Sequence, residues 1–462
     1  MTQTEAAQFD LVDPAVDPAE RPHPDLVRRP RVIPEILGLL PAVLAFALLL
    51  AVFVDIPGLS AVATSTIGFS AWIACLCLLL LAYGFVLLAR HRTSMRWLTV
   101  ALAAFTLVGT GAITAQTQAF ADQHDIEYHP FSGYLAPRPA DHVAVYRETS
   151  ERGDLQVGVW LPPGHERNED DTFTATSGAP APVLVHVPGE LTPFGAEAQE
   201  TFRSMQNTVT DLTGDTPPIP VEETAGPASP GGADATLARW ADAGWMVLNV
   251  GYTPASADDP TSVVAVDQVQ CALAYVNAHS EQLAIDMDRL AVVGSDTGGL
   301  VALDAVFQHG SEEEFTDCGE VPATAAFAGR SAVVDPIDLA GSEAPFVGEE
   351  ARTWARDFHG GTPSEVPEAY TASAPHTYIN SDVPPVVLFT AGRDRLVPGD
   401  TTRAFATAAN RDGRSVTTRP VPHAGHGFGI SPLEDRMADA VHRWLTDTLP
   451  DAPEPPEDDA EG

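Results

Sequence analysis

Three apolar stretches near the N-terminus constrain this 462-residue chain more than any other feature: Ile36 to Val54, Ile67 to Ala89, and Trp97 to about Ala115. None contains an ionised side chain, and each approaches the roughly 20 residues that a helix needs to cross bilayer hydrocarbon. Buried core helices are the other reading of such runs, but three in succession with only short polar joints argue against it. The expectation is three transmembrane helices within 33–118, with the lipid bilayer as partner.

Arginine placement sets the orientation, because cytoplasmic flanks retain positive charge. Arg28, Arg29 and Arg31 precede the first span, and Arg90, Arg92 and Arg96 lie between the second and third. The joint from Asp55 to Thr66 has none, and the segment after the third span begins Ala121, Asp122, Gln123, His124, Asp125. A multi-pass cell-membrane protein with a cytoplasmic N-terminus and an extracytoplasmic C-terminal domain follows. A cleaved signal peptide would compete for the first span, but about 35 residues precede it, more than a usual n-region. Residues 1–32, rich in Pro and Asp, read as a disordered cytoplasmic tail, 119–140 as a linker, 141–450 as the outer domain and 451–462 as a disordered acidic tail.

The chain carries 63 acidic and 25 basic residues, all of the latter Arg, for a formal charge of -38. From Ala119 onward 55 acids face 18 arginines, so the outer portion holds nearly all of that charge. Such a field repels phosphate, and no basic patch is visible to overcome it, so nucleic acid is excluded as a partner. Two readings of the acidity stand, solubility in salt and compositional bias. Cys75 and Cys77 lie inside the second span and read as small apolar packing. Cys271 and Cys318 fall in the outer domain, where a disulfide persists, but sequence cannot show their separation, so bonded and free forms both stand.

From about Asp141 short β-rich runs alternate with helical stretches, the pattern of an α/β sheet with crossover helices. Expected strands are Leu155 to Leu161, Pro182 to Val187, Trp245 to Val250, Arg289 to Val293, Thr324 to Ala328, Pro385 to Thr390 and Val416 to Val421. Several are continuous apolar runs, as in strands of a parallel sheet covered on both faces. Expected helices are Val263 to His279, Gly298 to Phe307, Thr401 to Asn410 and Leu433 to Leu449. Thr192 to Ala235, dense in Pro, Gly, Thr and acids, reads as an irregular excursion, either a functional cover or disordered.

The most informative segment runs Asp288-Arg-Leu-Ala-Val-Val-Gly-Ser-Asp-Thr-Gly-Gly-Leu-Val-Ala-Leu: a strand, a turn of small residues, and a helix at once. Here the chain resembles the α/β-hydrolase superfamily, especially the small-molecule esterases with a Gly-Asp-Ser-Ala-Gly-Gly elbow and an Asp-Pro-Asp-Arg-like approach, which Asp286, Asp288 and Arg289 echo. The likeness covers roughly Val143 to Leu449 and implies an α/β-hydrolase fold, a mostly parallel sheet covered by helices on both faces.

Register decides the chemistry. Gly294 and Gly298 flank position 296, so the elbow residue is Asp296; making Ser295 the nucleophile would put Val293 and Thr297 where the tight turn wants glycine, and Ser295 stays as the alternative. An aspartate here matches the superfamily's dehalogenase-like and epoxide-hydrolase-like members, whose carboxylate attacks an sp3 carbon to form an ester that activated water hydrolyses. Attack on an ordinary ester carbonyl would give an anhydride instead. The resemblance further implies Asp394, after the strand Pro385 to Thr390, as the orienting acid, and His426, in Val-Pro-His-Ala-Gly-His-Gly-Phe, as the base, with His423 as its alternative. For the oxyanion hole the family places His-Gly-Gly after an early strand, where this chain reads His186-Val-Pro-Gly-Glu. Pro188 lacks an N–H and Glu190 brings the wrong charge, so the candidate donors are the N–H groups of Gly189, Glu190 and Thr297, while His186 is a packed strand histidine.

Two functions stand at this point: a membrane-anchored hydrolase of small-molecule substrates (ester-like, or epoxide- or halide-like if Asp296 attacks), and a catalytically inactive hydrolase fold that binds or scaffolds. No cofactor and no metal is expected. A transport role has no support, since no span carries an ionisable residue. Whether residue 296 reaches His426 separates the first two.

Overall fold

The computed structural model describes residues 32–449 apart from 192–225 and short breaks at 55, 57–58, 127, 132–136, 150–152, 171, 177, 312, 316, 345–346, 380–382 and 429–431. The expected tails, save Val32, and most of the expected excursion lie outside the described residues.

Four N-terminal helices come first: α1 Val32–Phe53, the short α2 Leu59–Ser65, α3 Ser70–Arg90 and α4 Ser94–Gln123. Three segments, Ile33–Phe53, Ile67–Arg90 and Ser94–Gln123, are long and apolar enough to cross a membrane. Their outward faces carry Leu40, Leu79, Phe105 and Val108 at 64–74% exposure, an apolar surface that no protein covers. Polar atoms turn inward: Thr110 and Thr117 donate to carbonyls of their own helix, and Ser70 meets Thr114 at 2.8 Å. At one end of the bundle Arg96 pairs with Glu35 of α1 at 3.1 Å and also donates to the carbonyls of Leu87 and His91, which close α3. The third helix continues beyond Ala115 to Gln123, because Thr117, Phe120 and Ala121 are buried there.

The chain after the bundle is built on an eight-stranded sheet in the order β1-β2-β6-β5-β7-β8-β9-β10. These strands are β1 His142–Arg147, β2 Leu155–Trp160, β5 Ala181–Val187, β6 Met246–Val250, β7 Ile285–Ser295, β8 Ala326–Arg330, β9 Val386–Ala391 and β10 Val416–Val421, while β3 His165–Arg167 and β4 Phe173–Ala175 form a separate ribbon. β1 to β2 and β2 to β6 are antiparallel; every later pairing is parallel. Together with its covering helices this is the α/β-hydrolase fold.

Period-2 alternation sends successive residues to opposite faces of the sheet. Val183, Val185, Leu290, Val292 and Leu388 enter the core against helices Ser262–Ala278 and Asp296–Phe307. Leu184, Val247, Val293, Val387 and Phe389 enter a second core against helices Ala235–Asp242 and Pro432–Thr448. Every residue of β5, β6 and β9 is buried, which explains their mostly apolar sequence; each Val or Leu so buried contributes about 1.5–3 kcal/mol of transfer free energy. The second core continues without a break into Leu49, Val52, Ala63, Ile67, Ile113 and Phe120 of the bundle. Cys271 and Cys318 are joined as a disulfide with Cα atoms 5.1 Å apart, resolving the open sequence alternative toward the bonded form.

Candidate active site

The parallel strands deliver the candidate residues to one sheet edge, at their C-terminal ends. β7 ends at Ser295 and the next helix starts at Asp296, whose φ of 51° is a left-handed conformation that an aspartate adopts only under constraint. The constraint is close packing: a Cβ on Gly294 would lie 2.6 Å from the Cα of Gly299, and one on Gly298 would strike the backbone of Pro188. Glycine is therefore obligatory on both sides of position 296. This is the elbow that the sequence register implies, with Asp296 at its apex.

Three groups converge there. His426 Nε2 lies 3.0 Å from Asp296 Oδ1, and His426 Nδ1 lies 2.9 Å from Asp394 Oδ2. Asp394 occupies the turn after β9, where the N–H groups of Leu396 and Val397 donate to its Oδ1 at 3.0 and 2.9 Å. Its side chain is only 1% exposed, so those two donors fix its direction. An ionised carboxylate only accepts hydrogen bonds, so a ring held between two of them carries a proton on each nitrogen. Burial alone would pull the imidazole down, yet Asp394 and Asp296 outweigh it and hold His426 well above the usual histidine range. The resting set is an imidazolium held between two carboxyl groups.

The loop after β5 supplies donors, in a different arrangement from that expected. Leu191, not singled out in the sequence, donates its N–H to Asp296 Oδ2 at 2.7 Å. Glu190 donates its N–H to Thr297 Oγ1 at 2.9 Å rather than into open space, and Thr297 enters through that hydroxyl, 3.3 Å from Asp296 Oδ2. Gly189 packs so tightly that a Cβ there would lie 2.5 Å from the Cβ of Asp296. The donor loop is thus displaced by one residue from its sequence assignment: Pro188 spends no N–H, its carbonyl accepts from the Tyr252 hydroxyl at 2.7 Å, and the donor to Asp296 falls to Leu191. Only the register of the chain beyond Glu190, unreadable without the fold, could have indicated this.

Glu190 does not turn away from the site's electrostatics. Burial, helped by the negative charge of Asp296 and opposed by the Ala255 N–H, pushes its carboxyl up to about 7. Glu350, on helix Gly348–His359, is also raised by burial and by Asp296. Asp394, Asp296 and Glu350 therefore act on the imidazole and Glu190 acts on Asp296, an acidic setting that favours neutral or cationic molecules over anions.

The two sequence alternatives fall elsewhere. Ser295 Oγ is 3.0 Å from Nε2 of His186, not of His426. His186 is buried in β5 with Nδ1 2.7 Å from Asn249 Oδ1, and burial with the nearby Arg330 charge lowers it to about 4 against the Asn249 bond. His423 Nε2 meets Gln116 Oε1 of α4 at 2.5 Å, and its ring sits edge-on to Phe53 of α1. The structure thus brings together Asp296, Asp394 and His426, and leaves Ser295 and His423 outside that set.

A family model described as BD-FAE matches residues 227–408. The probable carboxylic ester hydrolase LipM of Mycobacterium tuberculosis is 26% identical over 337 residues, covering 67% of this chain and 64% of the relative. Esterase LipQ of the same organism is 24% identical over 313 residues, covering 65% of this chain and 63% of the relative. This chain therefore spans slightly less than two thirds of the length of these relatives. Among solved structures, Thermogutta terrifontis esterase 2 phosphonylated by sarin aligns at a TM-score of 0.46 and 18% identity, over 66% of this chain and 94% of that one. By sheet topology the chain has the α/β-hydrolase fold, and in sequence it is similar to these esterases.

Proposed function

We propose that this protein is a membrane-anchored hydrolase of small electrophilic molecules, working outside the cytoplasm with Asp296 as nucleophile, His426 as base and Asp394 as the group that orients it. The observation carrying this reading is the 3.0 Å contact between Asp296 and His426 at the apex of a strained elbow. A hydrolase fold kept only for binding has no need of a charged, buried array at the position where hydrolases attack. The anchoring part is supported by the three apolar helices. Arg90, Arg92 and Arg96 lie at the end of the bundle opposite the outer domain, as expected when that domain is extracytoplasmic.

The chemistry assigns the two oxygens of Asp296 different work. Oδ1 attacks the electrophilic carbon and displaces halide or opens an epoxide. Oδ2 becomes the ester carbonyl, already bonded to the Leu191 N–H. Esterification removes one negative charge beside His426, so the Nε2 proton loses its acceptor; with an epoxide it passes to the departing ring oxygen, and with a halide it passes to solvent. The neutral imidazole, still held by Asp394, then takes a proton from water that adds at the Asp296 carbonyl carbon. Charge developing on Oδ2 meets the Leu191 donor, and collapse releases alcohol and restores the carboxylate.

The esterase names of the relatives support carboxylic esters as a second substrate class. Such an ester would be cleaved at its alkyl carbon, which avoids an anhydride. The test is incubation of full-length protein with epoxides, haloalkanes and benzyl or allyl esters in heavy-oxygen water, with p-nitrophenyl esters kept for the Asp296→Ser variant, followed by mass analysis of the peptide holding Asp296. Repeated turnover should place heavy oxygen in Asp296, and His426→Gln should accumulate the haloalkane adduct because water is no longer activated. Turnover that leaves Asp296 unlabelled would refute the nucleophile. No turnover by the wild type, with ester cleavage gained in Asp296→Ser, would identify an inactive hydrolase fold.

A further inference from the structure

The loop that carries His426 does not rest on the hydrolase domain alone. Gly425 donates its N–H to the carbonyl of Thr64 in α2 at 3.3 Å, and Ala424 is fully buried in the core shared with Leu49, Val52, Ala63 and Ile67. His423, held at a φ of 59°, bonds Gln116 of α4 and packs against Phe53 of α1. The acid arm is seated on the same surface: the guanidinium of Arg393, next to Asp394, lies 5.8 Å from the centre of the Phe53 ring, and Arg393 donates its N–H to the carbonyl of Ala424 at 2.8 Å. Three helices of the bundle therefore touch the three residues before His426 and the one before Asp394.

We propose that the end of the helical bundle facing the hydrolase domain is a positioning element for the catalytic histidine, with Thr64 and Gln116 holding the loop 423–425 so that His426 spans Asp394 and Asp296. This rests on the reading of those three residues as the reacting set. Bridging two carboxylates at hydrogen-bond distance leaves the imidazole little tolerance, since displacements of about 1 Å in a catalytic group cost on the order of a hundredfold in rate. The site is then complete only in a domain seated on its own anchor, and changes in how the bundle packs within the bilayer reach the imidazole through the Thr64 and Gln116 contacts.

The geometry offers a test that separates this role from ordinary loop integrity. Gly425 is not among the glycines with positive φ, so alanine suits its backbone; what a Cβ there would meet is the Thr64 hydroxyl, at 2.6 Å. In full-length protein in lipid nanodiscs, Gly425→Ala should slow hydrolysis of the Asp296 haloalkane adduct about a hundredfold with its formation within about twofold, and raise deuterium exchange in residues 422–428. Adding Thr64→Ala, a change in another part of the chain, should restore both to within about threefold. Gln116→Ala should raise exchange in the same segment. A Gly425→Ala protein that matches wild type in rate and exchange overturns the proposal, as does a double variant no better than the single one. If turnover by wild type places no heavy oxygen in Asp296 with any substrate, the nucleophile reading fails instead, and the exchange data alone decide the coupling, by the same rescue criterion.

Discussion

Glu190 shows how one side chain ties the candidate site to stability. Its carboxyl is pushed up to about 7, chiefly by burial, from an ordinary value of 4.5. A raised acid means that the folded chain keeps a proton which the unfolded chain has released between those values, so stability falls as pH rises from about 4.5 to about 7 and is flat above. Glu190→Gln should remove that slope. Thermal midpoints should agree with wild type near pH 4.5 and exceed it at pH 8, by an amount worth about 1–3 kcal/mol. The variant should also lose any inflection near pH 7 in the rate of Asp296 adduct formation. Asp296, Asp394 and His426 were each legible in sequence because each follows a recognisable strand and carries a local motif. The role of the Leu191 N–H was not, since a backbone donor leaves no mark on residue type. Nor were the partners of Ser295 and His423, which depend on strands and helices more than 100 residues away.

At the scale of elements, the strands easiest to read were β5 and β9, buried along their whole length and mostly apolar; β7 and β10, each partly exposed, also lie where the sequence puts them, with ends shifted by up to a few residues. β1 was missed because its residues alternate between exposed and half-buried at the sheet edge, and β3 and β4 because three residues carry no period. Helices Ala235–Asp242 and Gly348–His359 were missed for another reason: the first opens from a Pro- and Gly-rich run with only Asp234 as a cap, and the second presents Glu, Arg and Asp on most of its surface. The disulfide joins helix Ser262–Ala278 to the loop after helix Asp296–Phe307 across a separation of 47 residues. Replacing both cysteines by serine should cost about 2–4 kcal/mol, read as a lower denaturant midpoint with an unchanged site. Reduction of the wild type should produce the same shift.

For the whole molecule, acid stability and topology yield two further outcomes. His186, His359 and His442 are each lowered to about 4, burial being the first cause in each case. Lowered histidines stay neutral in the fold while the unfolded chain protonates, so stability is lost as pH falls from about 6.5 towards about 4. Thermal midpoints should drop through that window, and His442→Phe should make the drop shallower. Protease added outside intact cells should digest the domain spanning 141–450 while sparing an N-terminal tag; protection of that domain would reverse the proposed orientation. The shared core has a last consequence, for the order of assembly. Gln116 and His423 stand 307 positions apart in the chain, so the seat leaves the ribosome long before the loop it holds. Helices inserted early must wait, with an apolar end uncovered, until β10 and the turn beyond it have been synthesised. A nascent or truncated chain can carry the elbow and its aspartate, yet without the loop that bears His426 it lacks the imidazole that meets Asp296 and Asp394.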